Sequence, residues 1–454
     1  MFKKVLIANR GEVAARIART CKRLGMDAVA VYSDADQDGL HCQACDESVR
    51  IGPADPRESY LNPAALLAAA DATGADALHP GYGMLSESPT FARAVRDAGI
   101  TFIGPTPETM ERLLDRMQTR VHAVNAGVRV LPASDTPAED SDQAEAFAYE
   151  LGYPVVVKPV RAGGGIGPSL ASDSEELQAA FERVRARAQE VFGDGRVYLE
   201  RALDRPRHVE VQVVADEAGD VVALGDRECS IQRNSYRLLD EAPAPSFVGT
   251  ERGERTRDGV WDSAVRIAKE TGLTGVGTVE FLLDAQGEAY LLEVRPRLQV
   301  AHGITEMCTN IDLVEAQILI AAGKPIPSDV SRAIPAGHAM EVRICVELPA
   351  RGGRELPTHV QELRWPNASP GRLRIEASIQ TGSPVTVDYD TMLAKVISYA
   401  PTRHAALLLL DRVLSESAIT PVPTNAAFLR KILNHESFRA GQYDTSFVDQ
   451  VSRR

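Results

Sequence analysis

From residue 4 onward the chain alternates short apolar runs with helical spacings, and this alternation constrains the fold more than any other feature. Residues 4–8 read as a buried strand. Val13, Ile17, Cys21 and Leu24 recur at helical spacing, and Gly25 is a fitting stop. Ala28-Val29-Ala30-Val31-Tyr32 is a second strand. The pattern continues with 64–72 helical, 76–79 extended, 89–98 helical and 100–103 extended. Such alternation predicts an α/β domain over 1–114, an open parallel sheet with helices on both faces. Asn9-Arg10-Gly11-Glu12 and His79-Pro80-Gly81-Tyr82-Gly83 fall at strand C-terminal ends, where sheets of this kind bind ligands.

A helical connector assigned to 115–127 leads into a unit over 128–203. There Val155-Val156-Val157-Lys158 reads as a buried strand with a lysine at its end, followed by Gly163-Gly164-Gly165. A loop with so little side chain wraps backbone N–H groups around phosphates, and one lysine supplies the charge. Ser172 and Glu175 have capping-box spacing before an apolar stripe of Leu177, Phe181, Val184, Ala188 and Val191. A small unit carrying a glycine loop is suited to act as a lid. The rest, 204–447, mixes strands and helices in a third, α+β unit, and 349–371 reads as loop.

The net charge of −13 argues against nucleic acid or an anionic membrane as partner, but not against a nucleotide, which needs only local positive charge. No apolar run reaches membrane-spanning length, and 1–9 is a first strand rather than a leader, so a cytoplasmic location is expected. Cys42 and Cys45 have metal-like spacing, but no second pair completes a zinc site.

His208-Val209-Glu210-Val211-Gln212-Val213 alternates strictly, with valines on one face and His/Glu/Gln on the other. In isolation a half-exposed strand is the usual explanation; the functional reading gains because this polar face directly follows the expected lid. Residues 278–283 and 288–293 read as a hairpin. Pairing 284 with 287 sets 280 opposite 291, so Glu280 and Glu293 share a face as diagonal neighbours, about 7–8 Å apart. Apolar neighbours make the hairpin look central, where two unpaired carboxylates are costly. Mg²⁺ (or Mn²⁺) bound with substrate phosphates is the expected occupant. Pro296 ends the strand, and Arg295, Arg297 and, further on, Arg343 can bind a carboxylate, bicarbonate or phosphate, or equally balance the charge of nearby glutamates. Lys158 is the best phosphate residue, and Arg116 and Arg237 are further cations. Glu200 opens a hinge where backbone groups of Arg201 and Leu203 can read an adenine edge.

These residues closely resemble the biotin carboxylase family of ATP-grasp enzymes, over nearly the whole chain. The likeness runs through Ile7-Ala8-Asn9-Arg10-Gly11-Glu12, His79-Pro80-Gly81-Tyr82-Gly83, Pro206-Arg207-His208-Val209-Glu210, Cys229-Ser230-Ile231-Gln232-Arg233, Glu241-Ala242-Pro243-Ala244-Pro245 and Tyr389-Asp390-Thr391-Met392-Leu393-Ala394-Lys395. The resemblance implies a Rossmann-like domain, a mobile ATP lid and a C-terminal domain, as a homodimer. It implies use of Mg-ATP and bicarbonate to make carboxyphosphate and then to carboxylate biotin on a separate carrier. Carried over, Lys158, Glu200, His208 and Gln232 hold ATP with Leu203 at the adenine. Glu280 and Glu293 hold the metal, and Arg297, Gln299, Val300 and Arg343 line the bicarbonate and biotin site.

The departures from the family pattern cluster. Ala301 stands where the family has the glutamate that deprotonates bicarbonate. Ser235 and Arg237 replace a histidine and a lysine, Arg295 an asparagine beside the metal, and Arg116 a phosphate-binding lysine. Ile166 and Pro168 replace Arg and Met, and Gly303 a proline. The leading expectation is therefore a repurposed ATP-grasp ligase. It activates bicarbonate or another small carboxylate and passes it to an acceptor other than biotin, with Glu210 or the substrate as base. A conventional biotin carboxylase is the second expectation, and an inactive ATP-binding relative the third. No Ala-Met-Lys-Met biotin-attachment motif occurs, so no covalent biotin is expected in this chain.

Overall fold

The computed structural model describes residues 1–161, 163, 167–347, 358–367, 371–386 and 388–452. Gly164, Gly165 and Ile166 of the glycine loop lie outside the described residues, as does most of 349–371.

Strands β1 (Lys4–Ile7), β2 (Asp27–Ser33), β3 (Glu47–Gly52), β4 (Ala77–His79) and β5 (Thr101–Phe102) form a parallel sheet in the order β3-β2-β1-β4-β5. Side chains alternate across β1, so it feeds two cores. Val5 and Ile7 pack on Ile17 and Cys21 of helix Gly11–Arg23, and Leu6 on Leu66 and Phe91 from helices Pro63–Thr73 and Pro89–Asp97. The predicted doubly wound domain is therefore present. Strand β3 escaped the sequence reading because only Ile51 and Gly52 in it are buried. Two helices, Pro107–Leu114 and Arg116–Asn125, form the connector. Asp115 ends the first and caps the second by accepting from the Gln118 N–H.

Strands β6 (Val155–Pro159), β7 (Ser169–Ala171) and β8 (Val197–Arg201) make a small antiparallel sheet, β7-β6-β8, under helices Ser141–Leu151 and Ser174–Phe192. The cap of the second helix sits one residue later than predicted. Asp173 accepts from Glu176 N–H, and Glu176 accepts from Ser172 N–H at 2.8 Å. Leu177, Phe181, Val184 and Ala188 are buried as expected, but Val191 is exposed.

The remaining strands are β9 (Arg207–Ala215), β10 (Val221–Arg233), β11 (Tyr236–Ala242), β12 (Gly275–Leu283), β13 (Ala289–Arg295), β14 (His338–Cys345), β15 (Glu362–Arg364), β16 (Leu373–Ala377), β17 (Met392–Ala400) and β18 (Ala418–Thr420). Eight of them form an antiparallel sheet ordered β13-β12-β9-β10-β11-β14-β17-β16, and β15 pairs with β18 in a separate ribbon. Val209, Val211 and Val213 pack under helix Glu251–Thr271. The hairpin β12–β13 is not central as a unit: β12 is internal, but β13 is the sheet edge. Among the described residues, no helix is long and apolar enough to cross a membrane.

Candidate active site

Strand β9 lies between β12 and β10, which removes the half-exposed explanation of its polar face. His208, Glu210 and Gln212 are all buried. Buried polar groups need partners, and Arg227 supplies them. It sits directly across from Glu210 on β10 and is itself fully buried. It donates to Glu210 at 2.5 Å, to Gln212 and Thr305 at 2.8 Å each, and to Thr278 at 3.1 Å. Sequence reasoning missed Arg227. Its one signal was the run Asp226-Arg227-Glu228 inside an otherwise strand-like stretch.

Glu210 also takes Arg237 Nη1 at 2.7 Å. Burial pushes its carboxyl pKa up, but Arg227 and Arg237 outweigh burial and hold it below the usual range. A carboxylate so stabilised is a weak proton acceptor, so the expectation of Glu210 as a base is corrected: it anchors arginines.

Glu280 and Glu293 converge more closely than predicted. An irregularity after Glu280 resets the register, so the two are direct cross-strand partners rather than diagonal neighbours. Each carboxylate oxygen already has company. Glu280 Oε1 receives Gln299 and Arg237, both at 2.9 Å, and Oε2 receives His208 at 2.9 Å. Glu293 Oε1 is bonded by Arg295, and Oε2 lies 3.6 Å from Arg116. Burial raises the Glu280 pKa, yet Arg237, His208 and Arg295 together hold it far below the usual range. As arranged, this pair does not fit a divalent ion, because coordination requires Arg295 to leave Glu293. Among the described residues, no group of three or more His, Cys, Asp or Glu is placed to hold a metal.

The other predicted residues extend this wall in both directions. Toward the small β7-β6-β8 sheet, Lys158 on β6 pairs with Glu200 on β8, and Glu200 takes Arg120 at 2.8 Å. Arg120 is a second residue the sequence did not reveal. Arg116 donates to the carbonyls of Pro159 and Arg161 at 3.0 and 3.2 Å, tying the end of the lysine strand to Glu293. Gly163 has φ +98°, a conformation that favours glycine. The Arg201 N–H is spent on the Pro132 carbonyl at 2.9 Å, which removes it as an adenine donor. His208 is turned to Glu280 rather than to open space, and Gln232 is the cross-strand partner of Arg237.

On the opposite side, Arg297 donates to Gln299 at 3.0 Å and lies 3.4 Å from Glu87, which Arg295 also approaches at 3.5 Å. The Val300 carbonyl accepts from buried Lys395 at 2.9 Å. Arg343 on β14 pairs with Asp240 at 3.0 Å, on the strand that also carries Arg237. Ala301 is fully buried in an apolar cluster with Ala242, Ile304, Cys308, Ala339 and Ile397.

Comparison with known proteins gives the same outline. Family models match in chain order: biotin carboxylase N-terminal domain over 1–110, carbamoyl-phosphate synthase L chain ATP-binding domain over 115–329, and biotin carboxylase C-terminal domain over 341–450. The chain is 45% identical to a biotin carboxylase of Halalkalibacterium halodurans over 448 residues, which is 99% of this chain and 97% of that one. The Campylobacter jejuni biotin carboxylase in complex with β,γ-ATP superposes with a TM-score of 0.93 at 36% identity, covering 99% of both chains. The biotin carboxylase domain dimer of Hydrogenobacter thermophilus 2-oxoglutarate carboxylase, with MgADP, ADP and bicarbonate, gives 0.93 at 36% identity over 100% and 98%. The chain belongs to the biotin carboxylase family and is an ATP-dependent ligase of the ATP-grasp class.

Proposed function

We propose that this chain is a biotin carboxylase that spends ATP to join bicarbonate to biotin carried on a separate protein. One observation carries the reading. A continuous polar wall runs from Lys158 and Glu200 through Arg116, Glu293, Glu280 and Arg237, with Arg343 on the next strand, in a chain matched end to end by biotin carboxylases. In this reading Lys158, Gly163, Glu200, Leu203, His208 and Gln232 hold the nucleotide, with Arg116 at its phosphates. Arg237, Arg297 and Arg343 neutralise the anion, and Gln299 and Val300 border the biotin pocket. A bicarbonate oxygen attacks the terminal phosphorus, ADP leaves and the bicarbonate proton is lost; the carbon of carboxyphosphate then bonds to a ring nitrogen of biotin as its C–O bond to phosphate breaks, and the released phosphate takes the N–H proton. Arginine forks stabilise the charge that builds on the transferring oxygens. ATP as its magnesium salt, a homodimer and a cytoplasmic location belong to the same reading; the Hydrogenobacter thermophilus relative is a dimer with MgADP and bicarbonate. So does a division at 114, 127 and 203, with 128–203 as the lid.

The expectation of an acceptor other than biotin gives way here, because the whole-length relatives are biotin carboxylases. One observation still favours it as a second reading. Ala301 offers a methyl group in an apolar cluster where a proton must leave bicarbonate. Incubating the chain with ATP, free biotin and labelled bicarbonate separates the two. Label in biotin supports the first reading. ATP turnover without bicarbonate-dependent label in biotin rejects it in favour of another acceptor.

A further inference from the structure

The carboxylates that face each other at the foot of the nucleotide wall already have cations between them, attached to the chain. Arg295 reaches three carboxylates: Glu293, Glu280 at 3.7 Å and Glu87 at 3.5 Å. Arg237 bridges Glu280 and Glu210, and Arg116 approaches the remaining oxygen of Glu293. The Arg295 and Arg116 side chains are 19% and 14% exposed, Glu293 is 13% exposed and Glu280 only 3%. Both guanidinium groups are open to a phosphate oxygen, and Glu280 is not. Each terminal Nη nitrogen that bonds a carboxylate carries a second hydrogen that a phosphate oxygen can accept, and the planar fork matches that group.

Mg²⁺ works differently. It demands about six oxygens at ~2.0–2.1 Å in near-octahedral order. Reaching that geometry here means expelling Arg295 from Glu293 and stripping donors from Glu280. Both exchanges expose charged groups that are now paired, which is costly.

We propose that this chain grips the phosphates of ADP and ATP through Arg116, Arg237 and Arg295 and does not need a divalent cation to do so. The inference rests on the nucleotide role proposed above and concerns binding, not turnover.

Titration calorimetry of the full chain with ADP, in excess EDTA and then in excess Mg²⁺, tests it. The two dissociation constants are expected to agree within about threefold, less than 1 kcal/mol. Arg295→Asn is expected to bind ADP at least about tenfold more weakly in EDTA and to regain affinity when Mg²⁺ is added. Wild-type binding that weakens more than about tenfold in EDTA overturns the inference and leaves the nucleotide reading intact. Absence of ADP binding in both solutions overturns both. The wild-type comparison stands even if the variant fails to fold.

Discussion

Arg237 Nη2 lies 2.9 Å from Glu280 Oε1 while its Nη1 lies 2.7 Å from Glu210, so one guanidinium holds together two carboxylates on adjacent strands. Both carboxylates are buried. Without the arginine they repel each other, and Arg227 alone cannot reach Glu280. Arg237→Ala is expected to cost about 3–5 kcal/mol, the usual penalty for leaving buried charge uncompensated. Arg237→Lys is expected to cost less, because a single ammonium keeps the charge but not the fork. Thermal unfolding of the two variants beside the parent checks the order.

Glu280 is the point where three separate parts of the wall meet, through His208, Gln299 and Arg237. Glu280→Gln keeps the shape but removes the charge on which Arg237 and Arg295 converge. ATP turnover is expected to fall below detection while the protein remains folded by circular dichroism. Retained turnover would exclude Glu280 from the machinery.

Lys158 is paired with Glu200 rather than extended to solvent, and both are buried. Lysines at strand ends that merely snorkel leave their ammonium in water. Lys158→Met is therefore expected to weaken ADP binding by at least about tenfold, or ~1.4 kcal/mol. Glu200 would then retain Arg120, so the fold should survive. Calorimetry on the variant reads the change, and an unaltered affinity would make the lysine purely structural.

Glu341 gives a pH signature. It is fully buried on β14, neither of its oxygens has a hydrogen-bond partner among the described residues, and burial pushes its carboxyl up to about 8. Between the ordinary carboxyl value and about 8 the folded chain binds a proton that the unfolded chain releases. Stability from this group therefore falls as pH rises through that window, by up to ~1.4 kcal/mol per pH unit. Glu341→Gln removes the titration. Its melting temperature is expected to match the parent near pH 5 and to exceed it near pH 8. The reverse order would mean the carboxylate is stabilised when ionised.

The sequence revealed most where periodicity and chemistry coincided. The β9 alternation, the hairpin that carries Glu280 and Glu293, and the lysine before the glycine loop all lie where expected, because each depends on local pattern alone. What escaped depends on register and packing. The irregularity after Glu280 moved Glu293 from diagonal to direct partner, and nothing in the local pattern marks it. Arg227 became the anchor of Glu210 only because β10 pairs with β9 in one register. Strand β3 was hidden by its exposed residues. The correction to Glu210 has the same origin: only the fold surrounds it with two arginines.

Ala301 offers the sharpest chemical test. A methyl group there closes an apolar cluster with Ile304 and Ile397, and the neighbouring Val300 carbonyl is pinned by Lys395. A general base contributes roughly 10²–10⁴ to a rate, so its absence should leave wild-type carboxylation of biotin slow. Ala301→Glu puts a carboxylate at the position where the biotin carboxylase pattern carries one. Burying it in an apolar cluster lowers stability. The rate of bicarbonate-dependent biotin carboxylation is expected to rise about a hundredfold at saturating ATP, with little change in the KM for ATP. That split matters, since better nucleotide binding would move KM instead. An unchanged rate in a folded variant would mean that another group of this chain, or of the carrier, already accepts the proton.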